Sequence, residues 1–222
     1  MGKSGLILNL QAGMGKSFLA MAMIGHLKCR TLIVTHNRAI LQQWEKILHK
    51  HFPEANIGVY YGQKKTYGDI VVGVINSLVM DTIKNFDSWG EFYETFDFVI
   101  FDEAHEYCSA TRSKIYSRAQ TPYMLGLSAT PNERTDNLDR INHWGIGPVL
   151  EAAKIGGYSE ESIPFKGNVV QVKYSGPEAY TQLITNSALE TMSAPLMIEQ
   201  LTQDPYRTKY SFLQIVVIIY QK

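Results

Sequence analysis

Leu10-Gln11-Ala12-Gly13-Met14-Gly15-Lys16-Ser17 stands between a short apolar run, Leu6-Ile7-Leu8, and a helical stretch from Lys16 to about His26. A strand, a glycine-bearing loop and a helix in that order let successive backbone N–H groups turn toward phosphate oxygens, and the helix adds its positive end. Lys16 then reaches the β and γ phosphates of a nucleoside triphosphate, and Ser17 offers its hydroxyl to magnesium. Further along, Phe98-Val99-Ile100-Phe101-Asp102-Glu103-Ala104-His105 ends an apolar run on two carboxylates. Asp102 suits a magnesium ligand at a strand's end, and Glu103 suits a group that orients or deprotonates the attacking water. The pairing predicts a nucleotide-hydrolysis site with Lys16, Asp102 and Glu103 as catalytic residues. Ala12, Gly13, Met14, Gly15, Lys16 and Ser17 would surround the phosphates, Ser17 and Asp102 would hold the metal, and the expected cofactors are a nucleoside triphosphate and Mg2+. Gly2-Lys3-Ser4 repeats the tail of the loop without a strand before it and is read as chance.

Outward from these stretches, β-branched apolar runs alternate with helical patterns up to about residue 130. Thr31-Leu32-Ile33-Val34, Asp69 to Val74 and Tyr123 to Leu127 join Leu6-Ile7-Leu8 and Phe98 to Phe101 as expected strands. Continuous apolar strands separated by helices predict a parallel sheet covered on both faces, a doubly wound α/β domain. A helix is expected from Arg38 to about His51, where Ile40, Leu41, Trp44, Ile47 and Leu48 share one face and Pro53 stops the pattern. Trp44 is read as core because it lies on that face. Another helix is expected from Ile75 to Lys84 with Asn76 or Ser77 as its cap. Tyr60-Tyr61-Gly62 with Lys64-Lys65 reads as a hairpin-like surface loop, or as an aromatic and basic contact for nucleic acid. Pro131 to Leu150 reads as a loop and a helix, Val169 to Tyr174 as a strand, and about Glu178 to Gln203 as helical except at Pro195.

Lys and Arg together number 21, as do Asp and Glu, and 45% of residues are hydrophobic. That is the composition of an ordinary globular protein, without the net positive charge that advertises a polyanionic partner, although a local basic patch would serve as well. Cys29 and Cys108 lack the spacing of a disulfide framework or zinc ribbon. No run approaches the roughly 20 apolar residues that span a bilayer. An intracellular protein with no membrane partner is expected, cytoplasmic or nuclear.

Asp102-Glu103-Ala104-His105 and Leu127-Ser128-Ala129-Thr130-Pro131 resemble the second and third motifs of superfamily-two helicases of the DEAD/DEAH type. Val34-Thr35-His36-Asn37-Arg38-Ala39-Ile40-Leu41-Gln42-Gln43-Trp44 is similar to their strand-to-helix element that holds the nucleic-acid backbone, and Ile75-Asn76-Ser77-Leu78 resembles a later one. Leu10 in place of the first loop glycine is usual in helicase-type loops. The stretch from Gly126 to Asp136, with Asp139-Arg140 and Gly147-Pro148-Val149, is most similar to the branch of DNA-repair translocases, phage helicases and poxvirus-type transcript-release helicases. The resemblance implies a RecA-like P-loop NTPase domain over residues 1–165, followed at 166–222 by a linker strand, a helix and the start of a second RecA-like domain. It implies that His105, Ser128, Ala129 and Thr130 couple the phosphate state to strand grip. Thr35, Arg38, Asn76 and Ser77 would contact a DNA or RNA strand; helix capping is the alternative role for Thr35 and Ser77, and solvation for Arg38.

The implied activity is an ATP-dependent helicase or translocase, of viral or phage kind among other sources. Restriction-enzyme motor subunits fall within that reading. Nothing after Val149 resembles the motifs of a second motor domain, which is expected as a partner, on another chain if not on this one, with slow hydrolysis in its absence. The alternatives are a catalytically incomplete binding fragment of a split motor and another kind of P-loop ATPase, against which the Ser-Ala-Thr element argues.

Overall fold

The structure, a computed structural model, describes residues 4–11, 13–84, 89–119, 121–132, 136–151, 176–177, 185–186, 191–192 and 202–206. The chain divides into two compact units, residues 1–164 and 165–222. The first carries strands β1 Ser4–Asn9, β2 Thr31–Thr35, β3 Ile57–Tyr61, β4 Lys64–Lys65, β5 Ile70–Val74, β6 Phe98–Asp102, β7 Tyr123–Ser128 and β8 Val149–Glu151. Its helices are α1 Lys16–Leu27, α2 Arg38–His51, α3 Ile75–Lys84, α4 Trp89–Glu94 and α5 Arg140–Gly145, with 3-10 turns at Ala104–Tyr107 and Arg112–Ser117.

The strands form one sheet in the order β4-β3-β5-β2-β6-β7-β1-β8. Neighbours run parallel except β4, which turns back antiparallel on β3. Every residue of β2 and β6 is buried, the reason their sequences read as unbroken apolar runs. Alternate residues serve opposite faces. Leu32, Val34, Val99 and Phe101 pack with α3 and the 3-10 turns, through Leu78, Tyr107 and Ile115. Ile33, Phe98 and Ile100 pack with α1 and α2, through Ala20, Ile24, Leu41, Trp44 and Leu48. The doubly wound α/β architecture with helices on both faces is thus as the sequence predicts.

The differences are local. Tyr60-Tyr61-Gly62 and Lys64-Lys65 form a β-hairpin whose Tyr60 is buried rather than displayed. Because α3 begins at Ile75, Asn76 and Ser77 sit in its first turn and not at its cap. In the second unit, Thr185–Asn186 and Thr191–Met192 pair as antiparallel strands β9 and β10 where a helix was expected. Thr185 and Thr191 are β-branched and suit an extended backbone. The expected strand from Val169 to Tyr174 and the apolar tail from Leu213 lie outside the described residues. Among the described residues no helix is long and apolar enough to cross a membrane.

Candidate functional site

The loop after β1 is anchored before it turns. The Leu10 N–H donates to the Ser128 carbonyl at 3.1 Å, and the Leu10 side chain is buried in the α1–α2 core. That packing accounts for leucine where such loops carry a glycine. The Met14 N–H closes a turn on the Gln11 carbonyl, and Gly13 and Gly15 take φ of +82° and +84°, a conformation that costs an L side chain roughly 1–2 kcal/mol. A Cβ at Gly13 would meet nothing within 4 Å, so the loop borders open space. Gly15 ends the loop as the N-cap of α1 with no side-chain cap, which leaves the helix's first N–H groups available to an anion. Met14 is half-buried against the core, Ser17 lies half-buried in the first turn, and Ala12 lies outside the described residues.

Lys16 Nζ is 3.5 Å from Glu103 Oε1, with the lysine side chain only 11% exposed. Glu103 follows the last residue of β6 at φ +52°, a left-handed conformation that a non-glycine residue holds only where its surroundings enforce it. Asp102 is 8% exposed. Burial pushes its carboxyl above the ordinary range and Glu103 adds to the push, opposed by the Trp44 hydrogen bond and the Lys16 charge. Trp44 Nε1 donates to Asp102 Oδ2 at 2.8 Å. The helical period placed this indole in the core and could not show its partner, 58 residues away. A second buried tie comes from Tyr107, whose hydroxyl lies 2.6 Å from the Asp102 carbonyl and 3.1 Å from that of Val34.

His105 Nδ1 sits 3.1 Å from Ser128 Oγ and 3.4 Å from Glu103 Oε2. Ser128 Oγ accepts from the Thr130 N–H. The expected coupling residues therefore form one connected chain from Glu103 to Thr130, with Ala129 half-buried between. Among the described residues no three His, Cys, Asp or Glu side chains converge on a cation site. Asp102 and Ser17 each carry an oxygen donor, the ligand type that magnesium takes.

The expected strand contacts divide. Thr35 is fully buried, its hydroxyl 3.2 Å from the Gly73 carbonyl and 3.3 Å from that of Asn37. Arg38 is exposed and stacks its guanidinium over the Tyr61 ring at 4.8 Å. Ser77 Oγ accepts from the Gly62 N–H at 2.9 Å. The β3–β4 hairpin thus touches both Arg38 and Ser77. Beside it lies a concavity of about 310 Å³ lined by Gly62, Asn76, Ser77, Met80, Asp81 and Lys84. A separate cavity of about 490 Å³, lined by Ile24, Phe52, Asp69 and Ile70 among others, lies toward the amino ends of β2 and β5, away from the loop.

Residues 1–133 match the family described as type III restriction enzyme, res subunit. The QP509L protein of African swine fever virus, provisionally named an ATP-dependent RNA helicase, is 32% identical over 219 residues, covering 95% of this chain and 38% of that protein. A Haloarcula marismortui protein provisionally named DNA 3'-5' helicase Rad25 is 30% identical over 146 residues, 62% of this chain and 22% of its own length. The chain therefore spans well under half the length of these relatives. Among solved structures, the Hef helicase domain of Pyrococcus furiosus aligns with a TM-score of 0.57 at 19% identity, over 67% of this chain and 35% of that one. The SWI2/SNF2 ATPase core of Sulfolobus solfataricus, in complex with dsDNA, aligns with a TM-score of 0.51 at 21% identity, over 63% and 31%. At those identities the two structures speak for the fold alone. With its RecA-like sheet, Lys16 set beside Glu103 at the end of β6, and a family match over more than half its length, the chain belongs to the type III restriction enzyme res-subunit family of superfamily-two helicases.

Proposed function

We propose that residues 1–165 form the first motor domain of an intracellular helicase or translocase, binding ATP with magnesium and coupling its hydrolysis to the grip on a DNA or RNA strand. Residues 166–222 are assigned to the linker and the start of a second RecA-like domain, which completes the motor from this or another chain. The observation that carries the reading is the convergence of Lys16 and Glu103, 3.5 Å apart, at the carboxyl ends of β1 and β6, where ligands gather in such sheets.

In this reading the loop amides and Lys16 hold the β and γ phosphates, and Ser17 and Asp102 hold magnesium. Bound magnesium supplies neutralisation of phosphate charge. Glu103 orients water for attack on the γ phosphorus and takes its proton as the bond to the β-phosphate oxygen breaks. His105, Ser128 and Thr130 carry the change at Glu103 toward the strand. Arg38, Asn76 and Ser77 bear on its backbone, contacts that position a strand without reading its sequence. Thr35 acts from inside by shaping the turn into α2.

ATP turnover by the purified chain, with and without single-stranded DNA and RNA, tests this reading against Lys16→Ala and Glu103→Gln. Strand-stimulated turnover that falls by roughly 10²-fold or more in each variant is expected. Turnover indifferent to both substitutions contradicts it. Lys16-dependent binding without turnover would mean half a motor that awaits its second domain, and nucleotide-stimulated strand binding without turnover would mark a binding module.

A further inference from the structure

We infer that Trp44 is a positioning residue for the metal-binding carboxylate, acting through its indole N–H on Asp102 Oδ2; the inference rests on the nucleotide-site reading above. Packing explains why an apolar ring occupies position 44, one turn from Leu41 and Leu48 on the buried face of α2. It does not explain why the polar edge of that ring meets this acceptor. The indole is a donor only and the ionised carboxylate an acceptor only, so the 2.8 Å bond has one direction and fixes one carboxylate oxygen. Trp44 is 2% exposed and Asp102 8% exposed, so solvent competes little for either partner. A buried carboxylate with two open rotamers would meet a cation in several poses, whereas one oxygen tied to a rigid ring leaves few.

The anchor is itself fixed. The Asn37 side chain caps α2 by accepting the Ile40 N–H. The Tyr107 hydroxyl reaches the carbonyls of both Val34, just before the turn into α2, and Asp102. The end of β6 is therefore tied twice, to α2 through the Trp44 indole and to the end of β2 through the Tyr107 hydroxyl, which bridges the two carbonyls. A donor behind a metal ligand is the arrangement by which such ligands are oriented, and its loss costs roughly 10-fold to 100-fold in metal affinity or activity.

The test compares wild type, Trp44→Phe, and a chain with benzothienylalanine at position 44, which keeps the bicyclic shape and replaces the N–H by sulfur. Anisotropy of a fluorescent non-hydrolysable ATP analogue is read in EDTA and again with Mg2+, and thermal midpoints report folding. The expected result is metal-free affinity within about two-fold of wild type in both variants, with the enhancement by Mg2+ reduced roughly 10-fold or more. Enhancement unchanged in the benzothienylalanine chain overturns the inference while leaving the nucleotide site standing. A wild-type chain that binds the analogue in neither condition removes the site reading and the inference with it.

Discussion

Asp81 and Asp102 are both carboxylates that accept a hydrogen bond from a buried aromatic residue, and they end in opposite electrostatic states. Burial alone would raise the Asp81 carboxyl, but hydrogen bonds from Lys65 Nζ at 2.6 Å and the Tyr60 hydroxyl at 2.5 Å, together with the lysine charge, hold it below the ordinary range. Asp102 receives its bond from neutral Trp44, has Glu103 as its neighbour and is more deeply buried, and its carboxyl is held above that range. The first is a completed pair that fastens the β3–β4 hairpin to α3. The second is a negative charge whose nearby cation, Lys16, is itself 3.5 Å from Glu103. A buried carboxylate so perturbed is a functional-site candidate, and the proposed function assigns it magnesium.

The largest effect expected from breaking this contrast is at Asp102. Asp102→Asn should lower turnover by roughly 10²-fold or more while raising the thermal midpoint near neutral pH, because it removes a buried charge and keeps an acceptor for Trp44. Stability gained where activity is lost separates a functional charge from a structural one. Asp81→Asn should do the reverse: turnover is retained and the folded state loses about 1–3 kcal/mol, read from denaturant midpoints.

The two carboxylates also give opposite slopes with pH. Asp81 has a folded value below its unfolded one, so its contribution is present above the unfolded value and lost as pH falls through the folded value. Asp102 has a folded value above its unfolded one. Its folded state holds more protons between the two, so stability is greatest below the unfolded value and is lost as pH rises through the folded value. Melting curves of the two Asn variants against wild type should therefore diverge in opposite directions across the acid range. A smaller effect sharpens the comparison. Asn37→Ala removes the α2 cap and should cost about 1 kcal/mol with turnover little changed, showing that stability loss alone does not imitate Asp102.

How much of this was legible depended on distance along the chain. The five central strands are contiguous stretches with their own local signature and stand where the sequence placed them, and Lys16 after β1 comes within 3.5 Å of Glu103 after β6. The β3, β4 and β8 strands did not show: Ile57–Tyr61 runs into a stretch read as a surface loop, and two residues at Lys64–Lys65 and three at Val149–Glu151 carry no period. Tyr60 to Lys65 read as a hairpin-like surface loop, whereas the Tyr60 ring packs in the core and its hydroxyl donates to Asp81 of α3. Trp44 shows the limit most clearly. Helical spacing assigned its ring to the core, while the partner of its N–H lies 58 residues away at the end of β6. His105 and Ser128, 23 residues apart, were paired through resemblance to a family rather than through any spacing.

The most direct measurement is the thermal midpoint of wild type, Asp102→Asn and Asp81→Asn, each with EDTA, with ATP analogue alone and with the analogue plus Mg2+. Linkage requires that whatever binds the folded state raises its midpoint. Wild type and Asp81→Asn should gain a further rise when Mg2+ joins the analogue, and Asp102→Asn should respond to the analogue but gain nothing from the metal. A metal-dependent rise of equal size in all three chains would contradict the assignment of Asp102 as the carboxylate that holds the cation.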